Sequence, residues 1–163
     1  MPSMAWVRGP TPKALSSDQM RDVIELFLHE TGEVYAEASL MSLPIPEWGG
    51  NLVYIDLEQP EPRTIHGVFW ATPFKDGIVR VAAFALRTNH QGQGHGGQAW
   101  NMFHQAAVDG GYTHVQLEVK ATNVGAQRFY ERRGLRIQQR LEGYYQSGLG
   151  YMMKGLLPRT HEG

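Results

Sequence analysis

Gln91-Gly92-Gln93-Gly94-His95-Gly96-Gly97 is the stretch around which the rest of the chain is ordered. An apolar run, Ile78 to Leu86, stands before it, and a segment of helical spacing, Gln98 to Val108, stands after it. That succession predicts a strand, a glycine-rich turn and a helix start. Glycines let the backbone come close to a ligand, while the free N–H groups and the dipole of a helix start favour an anion there. Several unrelated folds use such a turn, so the flanking segments decide which one this is.

Toward the N-terminus, Lys75-Asp76-Gly77 reads as a hairpin turn joining Ile65–Phe74 to Ile78–Leu86. The second of these strands is apolar at nearly every position, which predicts a central place with both faces covered. Asn51–Leu57 reads as another strand, and Gln59-Pro60-Glu61-Pro62 as the turn after it. Pro44-Ile45-Pro46-Glu47-Trp48-Gly49-Gly50 must be a loop. Within it Trp48 has two readings, an anchor packed on the core or a wall of an acceptor pocket. Ser16 and Gln19 fit a capping box for a first helix ending near Gly32, with Met20, Val23, Ile24, Phe27 and Leu28 inward. Val34–Leu43 reads as a second helix and Met4–Arg8 as a short edge strand.

Toward the C-terminus, the helix after the glycines turns Ala99, Trp100, Phe103, Ala106 and Ala107 inward and ends at Gly110-Gly111. Thr113–Val119 alternates: Val115, Leu117 and Val119 face one way, His114, Gln116 and Glu118 the other. Asn123 caps a further helix with Ala126, Phe129 and Tyr130 inside, stopped by Gly134. Two strands, Leu135–Glu142 and Leu149–Leu156, flank a loop with Tyr144, Tyr145 and Gly148, and residues 158–163 read as a loose tail.

The 163 residues suit a single domain, with 42% hydrophobic and 19% charged residues. A net charge of −1 gives no broad basic face for nucleic acid, and the lack of cysteine removes disulfides, thiolate metal sites and thiol nucleophiles. Nothing resembles a secretory signal, and the longest apolar run is far too short to span a bilayer, so a cytoplasmic location is expected. A nucleotide-hydrolysing phosphate loop needs Gly-Lys-Ser or Gly-Lys-Thr, and Gly96-Gly97-Gln98 lacks both the lysine and the hydroxyl. A dinucleotide fold wants its glycines after a first parallel strand, not after three antiparallel ones.

The order of elements, the pattern Gln91-x-x-Gly94-x-Gly96, and a second block together resemble the GCN5-related N-acetyltransferase (GNAT) superfamily. That block runs Leu117-Glu118-Val119-Lys120-Ala121-Thr122-Asn123, then Ala126, Phe129-Tyr130 and Gly134-Leu135. With Tyr144-Tyr145 it is most similar to the ribosomal-protein alanine N-acetyltransferase branch. Gln91 stands where arginine is commoner. The last hairpin has Gly148-Leu149-Gly150 in place of the acidic residue that often follows the tyrosine pair. The resemblance implies an α/β (α+β) fold, a mostly antiparallel sheet of about seven strands splayed in the middle, flanked by about four helices.

It further implies acetyl-coenzyme A as cofactor and acetyl transfer to an amine by direct attack. The acceptor is then a protein or peptide N-terminus, or a small-molecule amine. A coenzyme-holding sensor without turnover is the alternative from another class. By resemblance, Gln91 opens the cofactor-binding signature, and the amides of Gly92, Gln93, Gly94, His95, Gly96 and Gly97 hold the pyrophosphate. Phe84, Ala85 and Leu86 offer a strand edge to the pantetheine arm, and Asn123 contacts that arm while capping its helix. Glu118 matches the general base and Tyr130 the proton donor to the leaving thiolate. An α-amine with pKa near 8 costs roughly 1 kcal/mol to deprotonate at pH 7, a lysine amine roughly 4–5, which favours the former for a single carboxylate. Tyr144 and Tyr145 line a peptide groove or pack the hairpin. Arg128, Arg132, Arg133, Arg136 and Arg140 read as a solvated basic run from which one of the first three reaches an outer phosphate. His90, His95 and His104 have no metal-ligand spacing, so no metal is expected. A monomer or homodimer, with no nucleic acid and no membrane partner, completes the expectation.

Overall fold

A computed structural model of the chain describes residues 3–145 and 148–159. Among these residues, seven strands form one sheet in the order β1-β2-β3-β4-β5-β7-β6. The strands are β1 (Met4–Arg8), β2 (Leu52–Asp56), β3 (Gly67–Lys75), β4 (Ile78–Leu86), β5 (His114–Lys120), β6 (Arg136–Tyr145) and β7 (Gly148–Leu156). Four helices flank them: α1 (Ser17–Thr31), α2 (Glu37–Met41), α3 (His95–Asp109) and α4 (Val124–Glu131). Neighbouring strands are antiparallel except β4 and β5, which run parallel.

The expected capping box opens α1: Ser16 accepts from the Gln19 amide, and the Gln19 side chain accepts from the Ser16 amide. Gly32 closes the helix in the left-handed region at φ 74°. The buried stripe is Met20, Val23, Leu26 and Phe27; Leu28, expected inward, is 45% exposed. The second helix is shorter than Val34–Leu43. The Tyr35 ring packs tilted against Phe27, centroids 5.3 Å apart, from a non-helical segment, Leu40 is the buried anchor of α2, and Pro44 follows closely. Tyr144 and Tyr145, expected in a loop, are the last two residues of β6; their side chains lie outside the described residues. Of the expected tail, Pro158 is tied down, its carbonyl 2.7 Å from His104 Nε2, and residues 160–163 lie outside the described residues.

Two apolar clusters lie on opposite faces of the sheet. One joins α3 and α4 to the sheet through Trp100, Phe103 and Tyr130. The other joins α1 and α2 through Val23, Phe27 and Leu40. Trp48 takes the anchor role of its two readings: its ring lies edge-on to Phe103 and Tyr112, and Nε1 donates to the Ala71 carbonyl at 2.8 Å. Asn51, 1% exposed, accepts from the Ala71 amide at 3.0 Å and donates to the Pro46 carbonyl at 2.6 Å. The β2–β3 ladder ends at Leu52↔Phe69, so these two side chains carry the pairing of β3 onward where β2 has stopped.

The site depends on one irregularity in β4. Its register with β3 passes from Ala83↔Trp70 to Val81↔Ala71, leaving Ala82 as an extra residue. Before this bulge Val79 and Val81 point into the α3/α4 cluster; beyond it Ala83 and Ala85 point into the α1/α2 cluster. A one-residue insertion exchanges the faces of everything after it. The parallel ladder between β4 and β5 ends at Val81↔Leu117, beside the bulge, while β5 runs on to Lys120 held by β7. The edge of residues 82–86 that faces β5 is therefore unpaired, and the sheet is open at its centre.

Candidate active site

The glycine turn leads into the first turn of α3, which begins at His95, so His95, Gly96 and Gly97 are already helical. Gly92 and Gly94 sit at φ 74° and 85°, conformations that require glycine. Gly94 is the N-cap and offers no side chain to the helix. Among the described residues, no backbone N–H from Gly92 to Gly97 donates to a protein acceptor; the first paired amide is Gln98, to the Gly94 carbonyl at 3.1 Å. Six consecutive amides at a helix start are thus open to an anion.

Side chains brace this turn from behind. Gln91 Nε2 donates to the Leu86 carbonyl at 2.7 Å and to Glu30 at 3.1 Å, so its side chain laces the turn to β4 and α1. Gln93 donates to the Asn89 carbonyl at 3.3 Å. The His95 ring lies 5.2 Å from Tyr54, and its carbonyl accepts from Trp6 Nε1 at 2.8 Å. Of Arg128, Arg132 and Arg133, it is Arg133 that the fold brings to the turn. A Cβ on Gly97 would stand 2.9 Å from its Nη2. The guanidinium stacks on Phe129 at 3.6 Å and donates to the Phe129 carbonyl at 3.0 Å. Burial, and then the neighbouring Arg132, hold its pKa below the usual guanidinium range, against a raising influence of Tyr130.

The opening between β4 and β5 is a cavity of about 470 Å³. Phe84, Glu118, Asn123 and Tyr130 all line it; Ala85 and Leu86 are buried beside it and do not. Asn123 caps α4, accepting from the Ala126 amide at 3.1 Å. Tyr130 is 8% exposed, and burial pushes its phenol well above the ordinary value. Among the described residues its hydroxyl makes no protein hydrogen bond, yet no fully buried polar side-chain atom there goes unsatisfied, so the hydroxyl opens to the cavity.

Glu118 and Tyr130 approach from opposite faces of the sheet. Val115, Leu117 and Val119 belong to the α3/α4 cluster, so the alternate residue Glu118 faces the α1 side, whereas Tyr130 comes from α4. Sequence reasoning missed what meets Glu118 there. Arg80 Nε lies 2.9 and 3.2 Å from its two oxygens, and Arg80 Nη2 lies 2.7 Å from Oε1. The signal was available: Arg80 is the one charged residue interrupting the apolar run of β4. Glu33, Tyr35, Leu43, Pro44, Ile45 and Thr72 line the outer mouth on the same side, while Trp48 lies elsewhere. His66 and His90, with rings 5.3 Å apart, sit behind the turn; burial first, and then a histidine neighbour, lower both pKa values. Among the described residues no group of three or more His, Asp or Glu is placed to hold a metal ion. No helix there is long and apolar enough to cross a membrane.

A mixed sheet opened beside an uncapped glycine turn is the frame of an acyl-coenzyme A-dependent acyltransferase. The Acetyltransferase (GNAT) family matches residues 20–135, and the chain belongs to that family of acetyl-coenzyme A-dependent transferases. No curated protein matches the chain. Among solved structures it is similar to Ard1 from Thermoplasma volcanium, with TM-score 0.80 and 22% identity over 96% of this chain and 99% of that one. It is similar to the ribosomal-protein-S18-alanine N-acetyltransferase of Escherichia coli, with TM-score 0.73 and 15% identity over 98% and 97%. Naa50 of Arabidopsis thaliana, in complex with the bisubstrate analogue CoA-Ac-MVNAL, gives TM-score 0.69 and 14% identity over 93% and 97%. At these identities the likeness speaks for the fold. The family's cofactor fits the residues present: the open amides suit a pyrophosphate, and the unpaired edge of β4 suits an amide-bearing arm.

Proposed function

We propose that the chain acetylates an amine at the opening between β4 and β5, and that the acceptor is a protein or peptide N-terminus. One observation carries the reading: a single cavity is lined by a carboxylate from one face of the sheet and a phenol from the other. Acetyl-coenzyme A, when bound, supplies an acetyl group already activated as a thioester. The amides of Gly92 to Gly97 and the Arg133 guanidinium hold its phosphates. The unpaired edge at 82–86 aligns its arm, and an amide there supports the carbonyl oxygen as charge develops. Glu118 takes the proton that the amine gives up as C–N bonding begins. Tyr130, kept protonated by burial, donates to the sulfur as the C–S bond breaks, on the face away from the amine.

The acceptor class draws support from two neighbours, one named for a ribosomal-protein alanine and one bound to an analogue carrying a peptide. The mouth also suits a chain end. Its walls are the segments around Glu33–Tyr35 and Leu43–Ile45, with Val34 82% exposed at the lip. The test is thiol release from acetyl-coenzyme A with a peptide library and a panel of metabolite amines, with acetylated products located by mass spectrometry. Release with peptides, and the label on their α-nitrogen, is expected. Release with small amines alone would reassign the acceptor, and coenzyme binding without acceptor-dependent release would make the chain a sensor.

A further inference from the structure

We propose that Arg80 is a positioning residue that neutralises Glu118, so that the acceptor is held as a free amine instead of being captured as an ammonium ion. The inference rests on the reading of Glu118 as the base. Glu118, whose side chain is 12% exposed, receives Arg80 on both carboxylate oxygens, the bidentate geometry in which arginine is strongest. The pair sits where the sheet parts. Arg80 stands opposite Gln116 within the β4–β5 ladder, and Glu118 lies just past its end at Val81↔Leu117. The guanidinium thus reaches from the paired part of the sheet into the opening.

A carboxylate without a counter-ion in a half-closed site attracts the protonated form of an amine, which cannot attack. Binding energy spent on that form deepens the ground state and slows turnover. A guanidinium fixed on the carboxylate cancels most of its field at the distance of an incoming ligand and repels a second cation. It keeps its charge at every working pH. Among the described residues, the charged or titratable groups around the pair include Lys120 on β5, Lys154 on β7 opposite Gln116, Glu33 and Tyr35 beyond α1, and Tyr130 from α4. Lys120 donates to the Thr31 carbonyl at 2.7 Å, and the Tyr35 hydroxyl donates to Glu33 at 3.0 Å.

Arg80→Met, Arg80→Gln and Arg80→Lys are compared with wild type by steady-state kinetics on a peptide acceptor from pH 6 to 10. Coenzyme A affinity and melting temperature serve as controls for folding, and Arg80→Gln serves where Arg80→Met melts early. The expected result for the uncharged variants is a fall in kcat of about tenfold at pH 7, with acceptor KM unchanged or lower. The acid limb of kcat moves up by about one pH unit, so activity returns near pH 9. Arg80→Lys, which keeps the charge, keeps the limb. A raised acceptor KM with an unmoved limb would overturn the proposal and leave Arg80 as a direct acceptor contact or a brace. Wild-type protein that shows no acceptor-dependent thiol release overturns the catalytic reading and this inference together; wild-type turnover with an unmoved limb overturns only the inference.

Discussion

Tyr130→Phe separates chemistry from packing at this site. The ring is held by Trp100 at 5.8 Å and Phe129 at 5.4 Å, contacts that phenylalanine keeps. Among the described residues the hydroxyl has no protein hydrogen bond to lose, so the substitution is expected to change stability by no more than about 0.5 kcal/mol. For a domain of this size that is about 1–2 °C in melting temperature. A hydrogen bond to a group gaining full charge is worth roughly 1.5–3 kcal/mol. At about 1.4 kcal/mol per decade, kcat falls roughly 10- to 150-fold. Because burial raises the phenol's pKa, wild-type Tyr130 keeps its proton past pH 10, and its own ionisation adds no alkaline limb below that point. The assay is chromogenic thiol release with a peptide acceptor, with coenzyme A affinity by calorimetry and melting by fluorescence. Coenzyme affinity within about twofold of wild type is the expected companion result. A kcat within threefold of wild type would remove Tyr130 from the mechanism, and a melting point lowered by more than 5 °C would mean that its hydroxyl holds the fold.

Arg133→Ala removes the guanidinium at the α3 start and is expected to raise the coenzyme A dissociation constant about tenfold, with kcat at saturation little changed; an unchanged constant in titration calorimetry would return Arg133 to the solvated basic run. Asn51→Ala strands the Ala71 amide and the Pro46 carbonyl. It is expected to cost about 2–4 kcal/mol, read as a lower urea midpoint at unchanged slope; a midpoint near wild type would show that the loop holds without it. His66 and His90 both have folded-state pKa values lowered mainly by burial, so below about pH 6.5 the unfolded chain binds the more protons. The stability they contribute is whole above that pH and is lost as pH falls through their folded values. Urea melts at pH 7.5 and 5.5 should show a smaller drop for the His66→Gln/His90→Gln double variant than for wild type, and equal drops would refute the assignment.

What the sequence shows of this fold, and what it hides, divides at Ala82. Elements with a period of their own are legible: β5 alternates as written, α1 carries its capping box, and β4 occupies the expected span. The glycine turn is legible because two positions need positive φ, although its last three residues belong to the helix. Tertiary choices are less so. Leu26 rather than Leu28 is buried because α1 is rolled on the sheet by an amount no spacing states. Tyr144 and Tyr145 continue β6 because β7 pairs as far as Gly148. The bulge is the hardest feature to read. In a run that is apolar on both faces, an extra residue leaves no break in the alternation, because there is no alternation to break. Its consequences are large. Arg80 faces Glu118 because it precedes the bulge, while Phe84 joins the α3/α4 cluster because it follows it. Had β4 stayed regular, Arg80 and Phe84 would share a face, and a charge and an aromatic ring that now line opposite sides of the opening would compete for one. The inserted alanine parts β4 from β5 and sorts the residues at the gap by chemistry, which is why the polar pair and the phenol reach one cavity from opposite sides.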